Sequence, residues 1–180
     1  MARIFFALEV PDNLRRQITQ LQQEVPVNTG DIKWVEKNNL HITLYFAGEV
    51  EEAKLQILLE RAENVAAQLQ PFKIGIRGMG AFPNVWRPQV LWLGIDEGKA
   101  EITTLAKMLA VTKGKKQKSF VPHLTIGRIR SGRKVNLKRF LQQQEDYALA
   151  SYLATKFCCF QSELTPQGPI YTKIREFFFS

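Results

Sequence analysis

HITLYF (41–46) and HLTIGR (123–128) hold the only two histidines of the 180-residue chain, each followed by an aliphatic residue, a threonine and a second aliphatic residue. Along a strand, residues two apart project from the same face, so His41 with Thr43, and His123 with Thr125, share one side while Ile42, Leu44, Leu124 and Ile126 share the other. Both segments therefore read as half-buried strands of one design. RIFFALE (3–9) reads as a buried strand upstream of the first motif, and Asp12 as the cap of a helix to about Glu24 with Leu14, Ile18 and Leu21 on one face. Upstream of the second stand QVLWLGI (89–95), another buried strand, and a helix over about 100–111. The order strand, helix, histidine strand thus occurs twice, which points to an α+β fold of two pseudo-symmetric lobes. The remaining elements are a short strand IKWV, a first histidine strand ending at Gly48, a helix over 51–69, a glycine-loosened strand FKIGIRGMG, a turn FPNVWRP, and closing strands at LATKFCCF and IYTKIREFFF. No linker or low-complexity tract divides the chain, so residues 1–180 are read as a single domain.

A chain of this length buries about two-thirds of its unfolded surface and needs no disulfide or structural metal to fold. The adjacent Cys158 and Cys159 point to opposite faces of a strand and cannot bond each other without strain. They and two distant histidines also lack the paired spacings of a zinc site, so no metal and no cofactor is expected. Glu9 and Pro11 interrupt the first apolar stretch too early for a signal peptide or a membrane span, and a monomeric cytoplasmic protein is expected.

The net charge of +8 is unevenly spread. Between Ile102 and Gln144 lie eleven of the 25 basic residues and none of the 17 acidic ones, so the rest of the chain is net acidic. This segment contains His123, and a run of that kind is the footprint of a polyanionic partner. The whole segment from Ile102 to Gln144 is the expected phosphate track, with Lys115, Lys116 and Lys118 of its lysine-rich loop contributing to it.

Two histidine strands lying side by side would flank a space the size of one phosphate, with the threonine hydroxyls donating to its non-bridging oxygens. Phosphodiester cleavage needs a base for the nucleophile and an acid for the leaving oxygen, and imidazoles of pKa about 6.5 serve as both near neutrality. With ten threonines in the chain, chance would set one two residues after both histidines about once in 300 arrangements, which favours a functional pair.

The sequence resembles the two-histidine phosphoesterase superfamily, and within it the bacterial and archaeal RNA 2′,3′-cyclic phosphodiesterases formerly called 2′-5′ RNA ligases. The resemblance runs through RIFFAL, NLHITLYFAG, FPNVWRPQVLWLG, FVPHLTIGR and SELTPQGPIY, nearly the whole chain. Ala47 and Gly127 depart from the leucine and alanine common in such relatives, at no catalytic position. The resemblance implies two lobes, each an antiparallel sheet with helices on the outside, and an active-site cleft between them. It implies His41 as proton donor, His123 as proton acceptor, Thr43 and Thr125 as phosphate holders, and Arg128 as a further phosphate contact. On a flat strand Arg128 would face away from His123, so its role requires a strand end, a twist or a bulge. Phe5, Phe6 and Tyr171 are candidates for base stacking.

The expected activity is hydrolysis of RNA 2′,3′-cyclic phosphate ends to 2′-phosphomonoesters, with 2′-5′ ligation as the reverse reaction. One rival reading keeps the site but gives it a small nucleotide, such as ADP-ribose cyclic phosphate or a 2′-5′ oligonucleotide. Another is a non-catalytic RNA or nucleotide binding module whose histidines only hold phosphate.

Overall fold

The computed structural model describes residues 1–111 and 119–180. Along them run β1 (Ala2–Glu9), α1 (Asp12–Glu24), β2 (Ile32–Trp34), a 3₁₀ turn at Lys37–Asn39, β3 (His41–Val50), α2 (Glu52–Ala66), β4 (Phe72–Phe82) and β5 (Val90–Ile95). Then follow α3 (Lys99–Leu109), β6 (His123–Ile129), α4 (Lys138–Gln143), β7 (Ala148–Ala154), β8 (Lys156–Thr165) and β9 (Gly168–Phe178). Lys115, Lys116, Lys118 and most of the lysine-rich loop fall outside the described residues.

Alternation at both histidine motifs has the expected result. Ile42 and Leu44 of β3, and Leu124 and Ile126 of β6, are at most 3 % exposed, whereas both histidines and both threonines keep one partly open side. The strands form one antiparallel sheet in the order β7-β4-β5-β6-β3-β1-β8-β9, with β2 also on β6. Its two four-stranded halves meet where β3 touches β6, through a single pair in register, Ile42 opposite Leu124. Further along, β6 pairs with β2, from Trp34 opposite Gly127 to Ile32 opposite Ile129. The sheet therefore divides at β3 and β6 into two lobes, an α+β architecture with the histidine strands at the seam.

Two of the described helices, α1 and α3, cross to the other lobe. Gln22 of α1, only 6 % exposed, donates from Nε2 to the carbonyls of Val35 and Ile126 at 2.9 Å each, fastening α1 over β6. α3 lies on β3 and on α2, α2 also reaches β8 and β9, and α4 packs on β4. Each helix that leads into a histidine strand thus covers the other lobe. Gln22 is a polar cross-tie whose removal would orphan two buried carbonyls.

Several expectations are corrected. Asp12 is the first residue of α1 and makes no side-chain cap; its carboxylate pairs instead with Lys37 at 2.8 Å. The first histidine strand runs past Gly48, whose φ of 74° is accommodated at an irregularity in the β1 pairing, and ends at Val50. α2 stops at Ala66, short of the expected Leu69. LATKFCCF is two strands in different lobes, for the chain leaves β7 beside β4 at Ala154 and enters β8 beside β1 at Lys156. α4 was not anticipated, because KRFLQQ is too short to show helical periodicity.

Candidate active site

The seam's single pair fixes the arrangement of the four polar residues. Extending the antiparallel register from Ile42–Leu124 sets His41 opposite Thr125 and Thr43 opposite His123. The histidines then lie on the diagonal, with backbones about 7–8 Å apart in an ordinary ladder, close enough to flank one small anion. A local two-fold axis through the seam relates one half of the square to the other.

The same symmetry governs each ring. His41 Nδ1 is 2.7 Å from the carbonyl of Asn39, and His123 Nδ1 is 2.7 Å from the carbonyl of Val121, in each case two residues earlier. A carbonyl only accepts, so both Nδ1 atoms carry the proton and both Nε2 atoms are left to work. At rest Thr43 Oγ1 donates to His41 Nε2 at 2.9 Å. Burial lowers the pKa of His41, with the positive charges of Arg15 and His123 adding to it and the Asn39 hydrogen bond opposing.

Arg128 reaches the cleft because β6 carries an extra residue. Leu91 pairs with Gly127 but Trp92 pairs with Thr125, leaving Ile126 as the bulge. That shift turns Arg128 to the same side as His123 and Thr125, which is the bulge its role required. β3 bulges at the matching place, since Phe6 pairs with Tyr45 and Ala7 with Thr43, leaving Leu44 over. Five residues from His41, as Arg128 is from His123, stands Phe46, with the Arg3 guanidinium 5.1 Å from its ring centre. Gly127 permits the close approach of β2, for a Cβ there would lie 2.8 Å from Ile32 Cδ1 and Trp34 Cε3.

The resulting cleft encloses about 500 Å³ and is lined by all four motif residues together with Arg3, Lys33, Phe46, Arg128 and Tyr171. Of the three stacking candidates, Phe6 is 1 % exposed and packs with Phe157 and Phe177 on the core side of β1, which removes it from the cleft. Phe5 faces the cleft but is 3 % exposed, its ring 5.1 Å from His41, 5.3 Å from Phe160 and 4.9 Å from Tyr171, so it supports His41 and offers no free face. Tyr171 keeps partial exposure, 5.5 Å edge-on to His41. Phe82, not foreseen, stands edge-on to His123 at 5.0 Å.

The turn between β8 and β9 is tied across the cleft mouth. Lys33 Nζ donates to the Gln167 carbonyl and Asn39 Nδ2 to the Pro169 carbonyl, both at 3.0 Å. Asn39 therefore holds the hairpin with its side chain and His41 with its carbonyl. Nothing in its residue type advertised this, because the second contact is made by main chain.

Among the described residues the one group of three metal-type side chains within reach of each other is Glu9, Cys158 and Glu176, of which Glu9 stands opposite His41 in the β1–β3 ladder. Lys173 occupies both carboxylates, at 2.9 and 2.7 Å, Lys156 adds a contact of 2.6 Å to Glu176, and burial pushes the Cys158 thiol up to about 12. The two lysines and two carboxylates satisfy one another in four ion-pair contacts and do not fit a further cation.

A family model described as LigT like Phosphoesterase matches residues 8–92 and 93–171, with one histidine motif in each. The chain is 37% identical over 177 residues to the RNA 2′,3′-cyclic phosphodiesterase of Methanocaldococcus jannaschii, covering 97% of this chain and 99% of that protein. It is 34% identical over 184 residues to the enzyme of the same name from Aquifex aeolicus, covering 99% and 97%. Its fold matches the crystal structure of the Thermus thermophilus protein TT0787 with a TM-score of 0.82 at 28% identity, over 98% of this chain and 97% of the other.

Proposed function

Because the chain belongs to the LigT-like phosphoesterases, we propose that it hydrolyses the 2′,3′-cyclic phosphodiester at RNA ends, leaving a 2′-phosphomonoester, with its two histidines as acid and base. The observation that carries this reading is the pair of imidazoles whose Nε2 atoms are freed, by identical Nδ1 contacts, on either side of the seam. His123 Nε2 takes a proton from water as the oxygen attacks phosphorus, the bond to the 3′ oxygen breaks, and His41 Nε2–H gives that oxygen its proton. Thr43, once released from His41, and Thr125 donate to the non-bridging oxygens, and the Arg128 guanidinium balances their charge. An RNA 5′-hydroxyl in place of water gives the reverse, a 2′-5′ linkage.

In this reading residues 1–180 act as one two-lobed unit, a monomer in the cytoplasm. The buried free thiols Cys158 and Cys159 accord with a reducing compartment, and no helix among the described residues is long and apolar enough to cross a membrane. The test is incubation of a cyclic-ended RNA with excess chelator present, followed by separation of the two phosphomonoesters. A 2′-phosphate should form at an undiminished rate. A predominantly 3′-phosphate product refutes the orientation, and loss of activity restored by one divalent ion refutes proton transfer by histidine alone.

The lowered pKa of His41 has a kinetic signature. A general acid must carry its proton, and in the free protein His41 loses it below the usual imidazole range. The substrate phosphate, being anionic, raises that pKa again on binding. Between about pH 6 and pH 8, kcat/KM should therefore fall more steeply than kcat, with limbs that belong to the pair. Parallel profiles would remove His41 from the donor role.

A further inference from the structure

A 3′-terminal cyclic phosphate leaves the rest of the RNA only one way to run, and the direction it takes here rests on the proposed reaction. On the β1, β8 and β9 side both lysines are already neutralised, Lys173 by Glu9 and Glu176 and Lys156 by Glu176, which leaves Arg3 and Arg175 as the cations of those strands without an ion pair among the described residues, and the hairpin turn is tied across the mouth. On the other side Arg87, Arg128, Arg130, Lys134 and Arg139 are exposed, and none forms an ion pair with a carboxylate among the described residues. Electrostatic attraction therefore draws a polyanion over the β4, β5 and β6 lobe.

On that path stands Trp86, 67 % exposed at the tip of the hairpin joining β4 to β5. Its position is fixed. Asn84 Oδ1 accepts the main-chain N–H of Trp86 and of Arg87 at 3.0 Å each. Gln89 closes the hairpin by donating to Phe82, and its carbonyl accepts from Ile129 at 2.9 Å, which sets the tip beside Arg128 and Arg130. Lys138 Nζ from α4 lies 3.5 Å from the indole centre. An ammonium on one face leaves the other open to a flat partner, and the positive surroundings select one attached to phosphates.

We propose that Trp86 and Lys138 form a stacking platform for a nucleobase of single-stranded RNA upstream of the cyclic end, with Arg87 and Arg130 taking the intervening phosphates. Neither Trp86 nor Lys138 lines the cleft, so the platform governs how tightly an oligomer is held and leaves the chemistry alone. The experiment compares a cyclic-ended RNA of about ten nucleotides with 2′,3′-cyclic AMP. Trp86→Ala should lower kcat/KM for the oligomer about fivefold or more, through KM, since one base–aromatic stack is worth at least that. Trp86→Phe should keep most of it, and Arg87→Gln should reduce the oligomer's salt slope by about one. All three should process the cyclic mononucleotide as the parent protein does. An unchanged oligomer, or an equal fall on both substrates, overturns the platform. If the parent protein turns over neither substrate, the catalytic reading fails, and the platform is judged by titrating a single-stranded RNA with a 2′-phosphate end. Weaker binding by Trp86→Ala then supports it, and equal binding overturns it.

Discussion

Replacing His41 or His123 with alanine should each remove about 10²–10⁴ of the hydrolysis rate. In the proposed reaction each loss deletes one of two proton transfers, and among the described residues no carboxylate hydrogen-bonds either ring to take it over. Both side chains project from the sheet face that lines the cleft, so the variants should keep the parent's circular dichroism and melting behaviour. Thr43→Ala and Thr125→Ala should be milder, because in the proposed reaction each removes one donor to a phosphate that Arg128 would still hold. A folded histidine variant with near-normal turnover would falsify the assigned pair.

The second large effect is on stability. Phe157 of β8 is fully buried, its ring centre 5.1 Å from Phe177, 6.0 Å from Phe179 and 6.3 Å from Phe6. This aromatic cluster fills the core side of the β1, β8 and β9 lobe, so Phe157→Ala should cost about 3–5 kcal/mol. That is a large share of the roughly 5–15 kcal/mol by which a domain is stable. Urea unfolding should show the loss as an earlier midpoint, while the folded fraction keeps its KM because the ring lies behind the sheet from the cleft. A midpoint unchanged from the parent's would contradict the packing described for Phe157.

How much of this was legible depends on whether the signal lay in residue type or in backbone. The two strands and the four polar residues could be read because period-two alternation and a repeated motif are written in side chains. Arg128 was named, but the bulge at Ile126 that turns it inward leaves no mark, since any aliphatic residue fits there. The carbonyls of Asn39 and Val121 that orient the imidazoles are main chain and have no signature at all. The break at Thr155 was hidden because two strands belonging to different lobes follow each other without a turn residue. Phe5 and Phe6 show the limit of alternation, for adjacent phenylalanines face opposite sides and both are buried.

The local two-fold axis at Ile42 and Leu124 makes the centre of the site ambidextrous. A cyclic phosphate turned end for end would meet an imidazole and a hydroxyl in the same places, so the four motif residues alone do not tell the 2′ oxygen from the 3′. Handedness must come from positions that the axis relates but the sequence does not. The bulges supply one such pair, a phenylalanine under Arg3 at position 46 and an arginine at 128. The flanks of the rings supply another, with Phe5 and Tyr171 beside His41 but Phe82 beside His123. In the proposed reaction the choice of product is therefore written at the rim, and the centre could serve either outcome unchanged.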